Sequence, residues 1–183
     1  MPEPKLTTDQ LRALIRTVPD FPSAGIQFRD ITTLIGDGAG LQAAIQHLAK
    51  LAEEAGAEAI AGMEARGFIF GAAVAAELGV GFVPIRKPGK LPVSTIGVDY
   101  ELEYGADRLE LDPAGVSAGQ NIVIVDDLIA TGGTALAAVQ LLRQAGAQAN
   151  QALFVIDLPD LGGAPKLRDA GVAVQSLMAF DGE

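Results

Sequence analysis

The apolar positions of this chain fall into short runs separated by longer amphipathic stretches. Residues 58–63, 81–86, 122–125, 151–157 and 172–178 read as strands, and Ile122-Val123-Ile124-Val125 shows no polar alternation at all. That is how a parallel strand buried on both faces reads, so helices are expected above and below it. Between the runs, Leu41, Ile45, Leu48 and Ala52 share one helical face behind Asp37 as a cap, residues 68–78 form a small-residue helix, residues 135–145 form another closed by Gly146, and a short one lies near 165–170. Near the start, Thr7 and Gln10 have capping-box spacing, and Leu11, Leu14 and Ile15 give a helix ending before Pro19. Strands alternating with helices predict an α/β fold, a single domain over residues 1–183 with a doubly wound, mainly parallel sheet.

Two stretches break the alternation. Residues 20–36 contain Pro22, Gly25 and Gly36 and read as loop, yet carry Phe21, Ile26, Phe28 and Ile31. An irregular segment with that much apolar surface must cover something, either part of the core or the flat face of a ligand. Residues 90–108 lack a core pattern; 95–104 could pair as a β-ribbon, and a long excursion between two buried strands is expected to be a lid.

The 49% hydrophobic composition suffices for one well-buried core. There is no cysteine, which removes disulfides, thiolate metal sites and thiol nucleophiles and fits a reducing compartment. Met1-Pro2-Glu3-Pro4-Lys5 has no apolar signal-like core, and no apolar stretch approaches the roughly 18 residues of a membrane span, so the chain reads as cytoplasmic and not membrane-bound. A net charge of −10 argues against a nucleic-acid partner. It also means that any anionic substrate must be met by local cations, and Arg66, Arg86, Lys87 and Lys90, four of the thirteen basic residues, fall within 25 positions. His47, the only histidine, has no metal-ligand or triad neighbour and is expected to be structural.

The densest chemistry follows residues 122–125. Asp126 and Asp127 stand at the carboxyl end of the expected strand, where ligands of open parallel sheets bind, and Thr131-Gly132-Gly133-Thr134 opens the next helix. Paired glycines let several N–H groups converge, the helix start adds partial positive charge, and the threonine hydroxyls add donors, which together make a phosphate cradle. Carboxylates beside it suit sugar hydroxyls or a Mg²⁺ ion, and a ribose 5-phosphate is the simplest molecule with both features. The one Gly-Lys pair, Gly89-Lys90, is followed by Leu91, which excludes a nucleotide P-loop, and the spacing of Gly132-Gly133 does not supply the dinucleotide fingerprint. Glu64-Ala65-Arg66-Gly67 makes a second strand–turn–helix unit, with Arg66 able to hold an anion through two hydrogen bonds.

Residues 125–134 resemble the phosphoribosyl-diphosphate (PRPP) motif of the type I phosphoribosyltransferases. Phe21-Pro-Ser-Ala-Gly-Ile-Gln-Phe-Arg-Asp30, Glu64-Ala-Arg-Gly-Phe-Ile-Phe-Gly71, Ile85-Arg-Lys-Pro-Gly-Lys-Leu-Pro92 and Leu102-Glu-Tyr-Gly105 extend the resemblance, in family order, to the adenine phosphoribosyltransferases. The resemblance implies transfer of the phosphoribosyl group of PRPP to N9 of adenine, giving AMP and diphosphate, with Mg²⁺ as cofactor and a homodimer as assembly. It assigns the 5-phosphate to Ala130, Thr131, Gly132, Gly133 and Thr134, and the ribose and its developing charge to Asp126 and Asp127. It assigns the diphosphate to Ala65, Arg66, Arg86, Lys87 and Lys90, the base to Phe28 and the main chain at Gln27 and Arg29 within a hood, and closure and the purine proton to Glu103 and Tyr104 of the lid. It further implies a cis peptide bond at Glu64–Ala65. No dedicated protein ligand set is expected for Mg²⁺, any contact coming from Asp126 or Asp127 through water. Gln27 stands where the family has an apolar residue, and Pro88 where some members have a base, which bears on base choice and the lid. A phosphoribosyltransferase for hypoxanthine or orotate, and a non-catalytic PRPP sensor, are the alternatives.

Overall fold

The computed structural model describes residues 3–101 and 105–182. α1 (Thr8–Leu14) begins at the capping box: the Thr7 side chain accepts from the Gln10 amide at 3.3 Å, and the Gln10 side chain accepts from the Thr7 amide at 2.9 Å. β1 (Arg16–Pro19), β2 (Gln27–Asp30) and α2 (Thr32–Gly36) follow, and α3 (Gly38–Glu54) starts where the Asp37 carboxylate accepts from Gly40 N at 2.7 Å. Next come β3 (Ala59–Met63), α4 (Arg66–Leu78), β4 (Gly81–Ile85), β5 (Ile96–Glu101) and β6 (Ala106–Leu111). β7 (Ile122–Ile129), α5 (Gly133–Gln144), β8 (Gln151–Asp157), α6 (Gly163–Asp169) and β9 (Ala173–Ala179) complete the order.

The main sheet has five parallel strands in the order β4-β3-β7-β8-β9. Alternate residues of its strands feed two cores, as strands buried on both faces require. Ala59, Ala61, Ile122 and Ile124 meet α5, α6 and the inward side of β6, whereas Ile60, Val123 and Val125 meet α1, α2, α3 and α4. Strand order reverses between β3 and β7, so their carboxyl ends flank the crevice in which open α/β sheets bind ligands. His47 Nε2 lies 2.8 Å from the Leu6 carbonyl, a structural role. Among the described residues no helix is long and apolar enough to cross a membrane.

Two local readings change, and a third, the β-ribbon, is found but reaches further along the chain. β7 does not stop before its acids: the ladder continues through Leu128↔Ile156 and Ile129↔Asp157, because apolar Leu128 and Ile129 resume the strand and β8 is long enough to pair with them. The stretch read as loop holds β2, paired antiparallel with β1 from Arg16↔Asp30 to Pro19↔Gln27, and then α2. The excursion after β4 is a ribbon, with β5 and β6 paired from Ile96↔Leu111 to Glu101↔Ala106. Its base is stitched to the end of β4, since Arg86 and Glu110 exchange main-chain hydrogen bonds of 2.9 and 2.8 Å, and Leu109 and Leu111 are buried. Glu103 and Tyr104 lie outside the described residues.

Candidate active site

The loop between β7 and α5 is shaped by close backbone packing. Gly132 has φ +77°, a left-handed conformation that side chains resist, and a Cβ there would lie 2.9 Å from Gly163 Cα and O. A Cβ on Gly163 would in turn strike the Ala130 carbonyl. The start of α6 is thereby pressed against the loop, and no side chain caps α5. Ala130, Thr131, Gly132, Gly133 and Thr134 line a cavity of about 290 Å³, so the first turn of α5 borders a space with room for a phosphate and the molecule that carries it.

Asp126 and Asp127 form the floor of that cavity. Asp126 lies deep, packed so closely on α4 that a Cβ on Gly67 would meet its Oδ1 at 2.5 Å, and Oδ1 accepts from Asp127 N at 2.9 Å. Burial, reinforced by the charge of Asp127, raises the Asp126 acid well above the usual carboxylate range. Asp127 is also buried, and its Oδ2 accepts from Arg66 Nε in an ion pair. The hydrogen bond that Arg66 donates to Asp127 raises Arg66 above its ordinary value in spite of partial burial.

Arg86 and Lys87 are held by acids as well. Glu64 Oε2 lies 3.5 Å from Arg86 Nη2, and Glu64 Oε1 accepts from the Lys87 amide. Lys87 Nζ donates to Tyr100 OH at 3.0 Å and pairs with Asp107 Oδ2. Burial works against the charge of Lys87, but the hydrogen bonds to Asp107 and Tyr100 outweigh it and hold its pKa above the ordinary value. Ala65, Arg66 and Lys87 line the cavity; Arg86 and Lys90 do not, and Arg86 Nη1 donates to the Lys90 carbonyl at 3.2 Å. The Glu64–Ala65 bond is cis, as the resemblance implies, and so is Phe21–Pro22.

A second cavity, of about 800 Å³, opens beside the first. It is walled by Gln27, Phe28 and Arg29 with Phe21 and Ile26, and across from them by Leu158, Leu161 and Gly182. Phe21 and Phe28 meet edge to face at 5.2 Å, leaving the Phe28 ring 39% exposed. Arg66, Asp127 and Leu128 line both cavities, so a ligand could span from one into the other.

A family model described as the phosphoribosyl transferase domain matches residues 35–166. An adenine phosphoribosyltransferase of Erythrobacter litoralis is 75% identical over 177 residues, covering 97% of this chain and 99% of its own. One of Novosphingobium aromaticivorans is 70% identical with the same coverage. The chain belongs to the adenine phosphoribosyltransferase family. The solved adenine phosphoribosyltransferase of Thermoanaerobacter pseudethanolicus superposes with a TM-score of 0.90 at 46% identity, covering 95% of this chain and all of that one. The Saccharomyces cerevisiae enzyme, solved with adenine and an imino-altritol bisphosphate, superposes at 0.88 with 40% identity, covering 93% of this chain and 98% of its own.

Within this phosphoribosyltransferase fold, sequence reasoning missed Glu64, Tyr100 and Asp107 as holders of the cations, and Leu158 and Leu161 as a wall of the apolar cavity. The Leu158-Pro159-Asp160-Leu161 turn does follow a strand at the carboxyl edge of the sheet, which was a usable signal. The pairing of Lys87 with a ribbon residue left no mark in the sequence. Among the described residues no group of three or more His, Asp or Glu side chains could hold a metal ion.

Proposed function

We propose that the two joined cavities hold PRPP and adenine side by side, and that the residues named above carry the family's reaction, adenine plus PRPP giving AMP plus diphosphate. The observation that supports this most is the shared border: Arg66, Asp127 and Leu128 belong to both the polar, glycine-walled cavity and the apolar, aromatic one. The 5-phosphate sits on residues 130–134, and Asp126 and Asp127 hold the ribose hydroxyls. The diphosphate meets Ala65, Arg66 and Lys87, with Arg86 and Lys90 behind them. Adenine lies against Phe28. Among the described residues β2 has β1 as its only strand neighbour, so main-chain groups on its other edge, from Gln27 to Arg29, are available to read the rim of the base.

The N9 lone pair forms the new bond to ribose C1 as the bond from C1 to the diphosphate oxygen breaks. Positive charge grows on the ribose in between, so catalysis consists of holding the reactants still and neutralising the leaving group. The carboxylates of Asp126 and Asp127 favour that charge, and Arg66 and Lys87 receive the departing diphosphate. Glu103, by resemblance, takes the proton that N9 loses. Mg²⁺ bound with PRPP would screen its diphosphate charge, and Asp126 or Asp127 would hold it through water. The test is product stoichiometry: with Mg²⁺, PRPP and adenine the protein releases one diphosphate per AMP, and chelation stops it. Binding of PRPP with no diphosphate release would instead make the protein a sensor.

A further inference from the structure

The hairpin of β1 and β2 forms a two-stranded sheet of its own, without ladder bonds to the main sheet. An isolated pair of strands is marginally stable, so what fastens it decides how well it holds a ligand. One fastening is local: Asp30 Oδ2 accepts from Arg16 Nε at 3.1 Å, and Oδ1 accepts from Thr32 N at 3.0 Å. The other comes from the far end of the chain. Phe180, which follows β9, is buried, and its ring is flanked by the Arg12 guanidinium at 4.3 Å and the Arg29 guanidinium at 4.8 Å. Arg12 also donates to the Ala179 carbonyl. Arg29, on β2, donates to Thr17 Oγ1 at 2.7 Å and to the Asp181 carbonyl at 3.0 Å. Gly182 N then donates to Asp160 Oδ2 at 2.8 Å, and Gly182 lines the apolar cavity.

We infer that residues 180–182 are a positioning element of the base site, clamping β2 through Arg29 and closing the wall opposite Phe28. The side chain of Arg29 therefore serves adenine without touching it: it stacks on Phe180 and ties β2 to the segment beyond β9. Each cation–ring contact is modest, but both arginines flank one ring, and Arg29 adds two hydrogen bonds that a shorter or neutral side chain would not make.

The inference rests on the reading of the apolar cavity as the adenine site, and its test separates the two. Arg29→Met keeps the main chain of β2 and removes the stack and both hydrogen bonds; Phe180→Ala removes the ring, and Phe180→Tyr is the rescue. Arg29→Met and Phe180→Ala are expected to raise KM for adenine by about tenfold while leaving KM for PRPP within about twofold, with Phe180→Tyr restoring the adenine value. Amide hydrogen exchange of residues 16–30 should quicken in the first two variants, a readout that needs no turnover. An unchanged adenine KM, or adenine and PRPP values rising together, with hairpin exchange unaltered in Arg29→Met, overturns the clamp. Should the wild type make no AMP, the function reading falls, and hairpin exchange alone then decides whether the clamp exists.

Discussion

Asp126 carries the cost of this site in the ligand-free protein. Burial and the neighbouring charge of Asp127 raise its acid, so between the ordinary carboxylate value and the raised one the folded state holds a proton that the unfolded chain has released. A raised carboxyl pKa means that stability falls as pH rises from the ordinary carboxylate value through the raised one, and the buried charge is fully felt above it. Asp126→Asn removes that charge at nearly constant volume. The variant should therefore melt at a higher temperature than the wild type at neutral pH while turning over at least about 100-fold more slowly. A melting temperature equal to or below the wild type's, measured without ligand across a pH series, would show that Asp126 stores no such cost.

At the scale of elements, the ribbon and the hairpin are the pieces that bring side chains to the sheet edge. Lys87 follows β4, but its charge is maintained by Asp107 of β6, whose own acid is lowered chiefly by the hydrogen bond from Lys87. Asp107→Asn leaves burial as the dominant influence on Lys87, lowering its pKa, so it should lose its proton at lower pH. KM for PRPP is then expected to rise several-fold, to about tenfold, and its alkaline limb to move to lower pH; an unmoved limb would detach Asp107 from the diphosphate. In the hairpin, hydrogen bonds from Thr32 and Arg16 lower Asp30 to about 2. The sign is that of a depressed acid, with stabilisation present above its unfolded value of 3.8 and lost as pH falls through about 2. Urea melts of Asp30→Asn should show a flatter loss of stability across that window, and a slope equal to the wild type's would remove Asp30 from the fastening. These elements also mark the limit of what the sequence discloses. Unalternated runs such as Ile122-Val123-Ile124-Val125 announce buried parallel strands, whereas β1 and β2 have four residues each and mixed exposure, so no period of two emerges. β7 was read short because two acids look like a strand end, although the cavity at the sheet edge admits them inside the ladder.

For the whole molecule, the glycine-rich turn, the acid pair and the cation cluster were legible because each is local in sequence. Their partners were not: Arg66 and Asp127 are 61 positions apart, and Arg12 reaches the carbonyl of Ala179 across 167. Such pairings depend on strand order and on where the chain turns back, which hydrophobic pattern does not encode. The same assembly explains how a chain of net charge −10 can take a polyanion. Arg66, Arg86 and Lys87 stand paired with acids at one sheet edge, ready to exchange those partners for phosphate oxygens. On the function proposed above, this edge joins a phosphoribosyl cradle to a site whose wall reads adenine through main-chain groups. Adenine offers an amino donor beside an N1 acceptor, and 6-oxopurines offer the reverse, so the wrong base leaves buried polar groups unpaired. Steady-state kinetics with Mg²⁺-PRPP and each of adenine, hypoxanthine and guanine test this most directly. The kcat/KM for adenine is expected to be at least about 1,000-fold above the other two, and comparable use of hypoxanthine would overturn the main-chain reading of adenine.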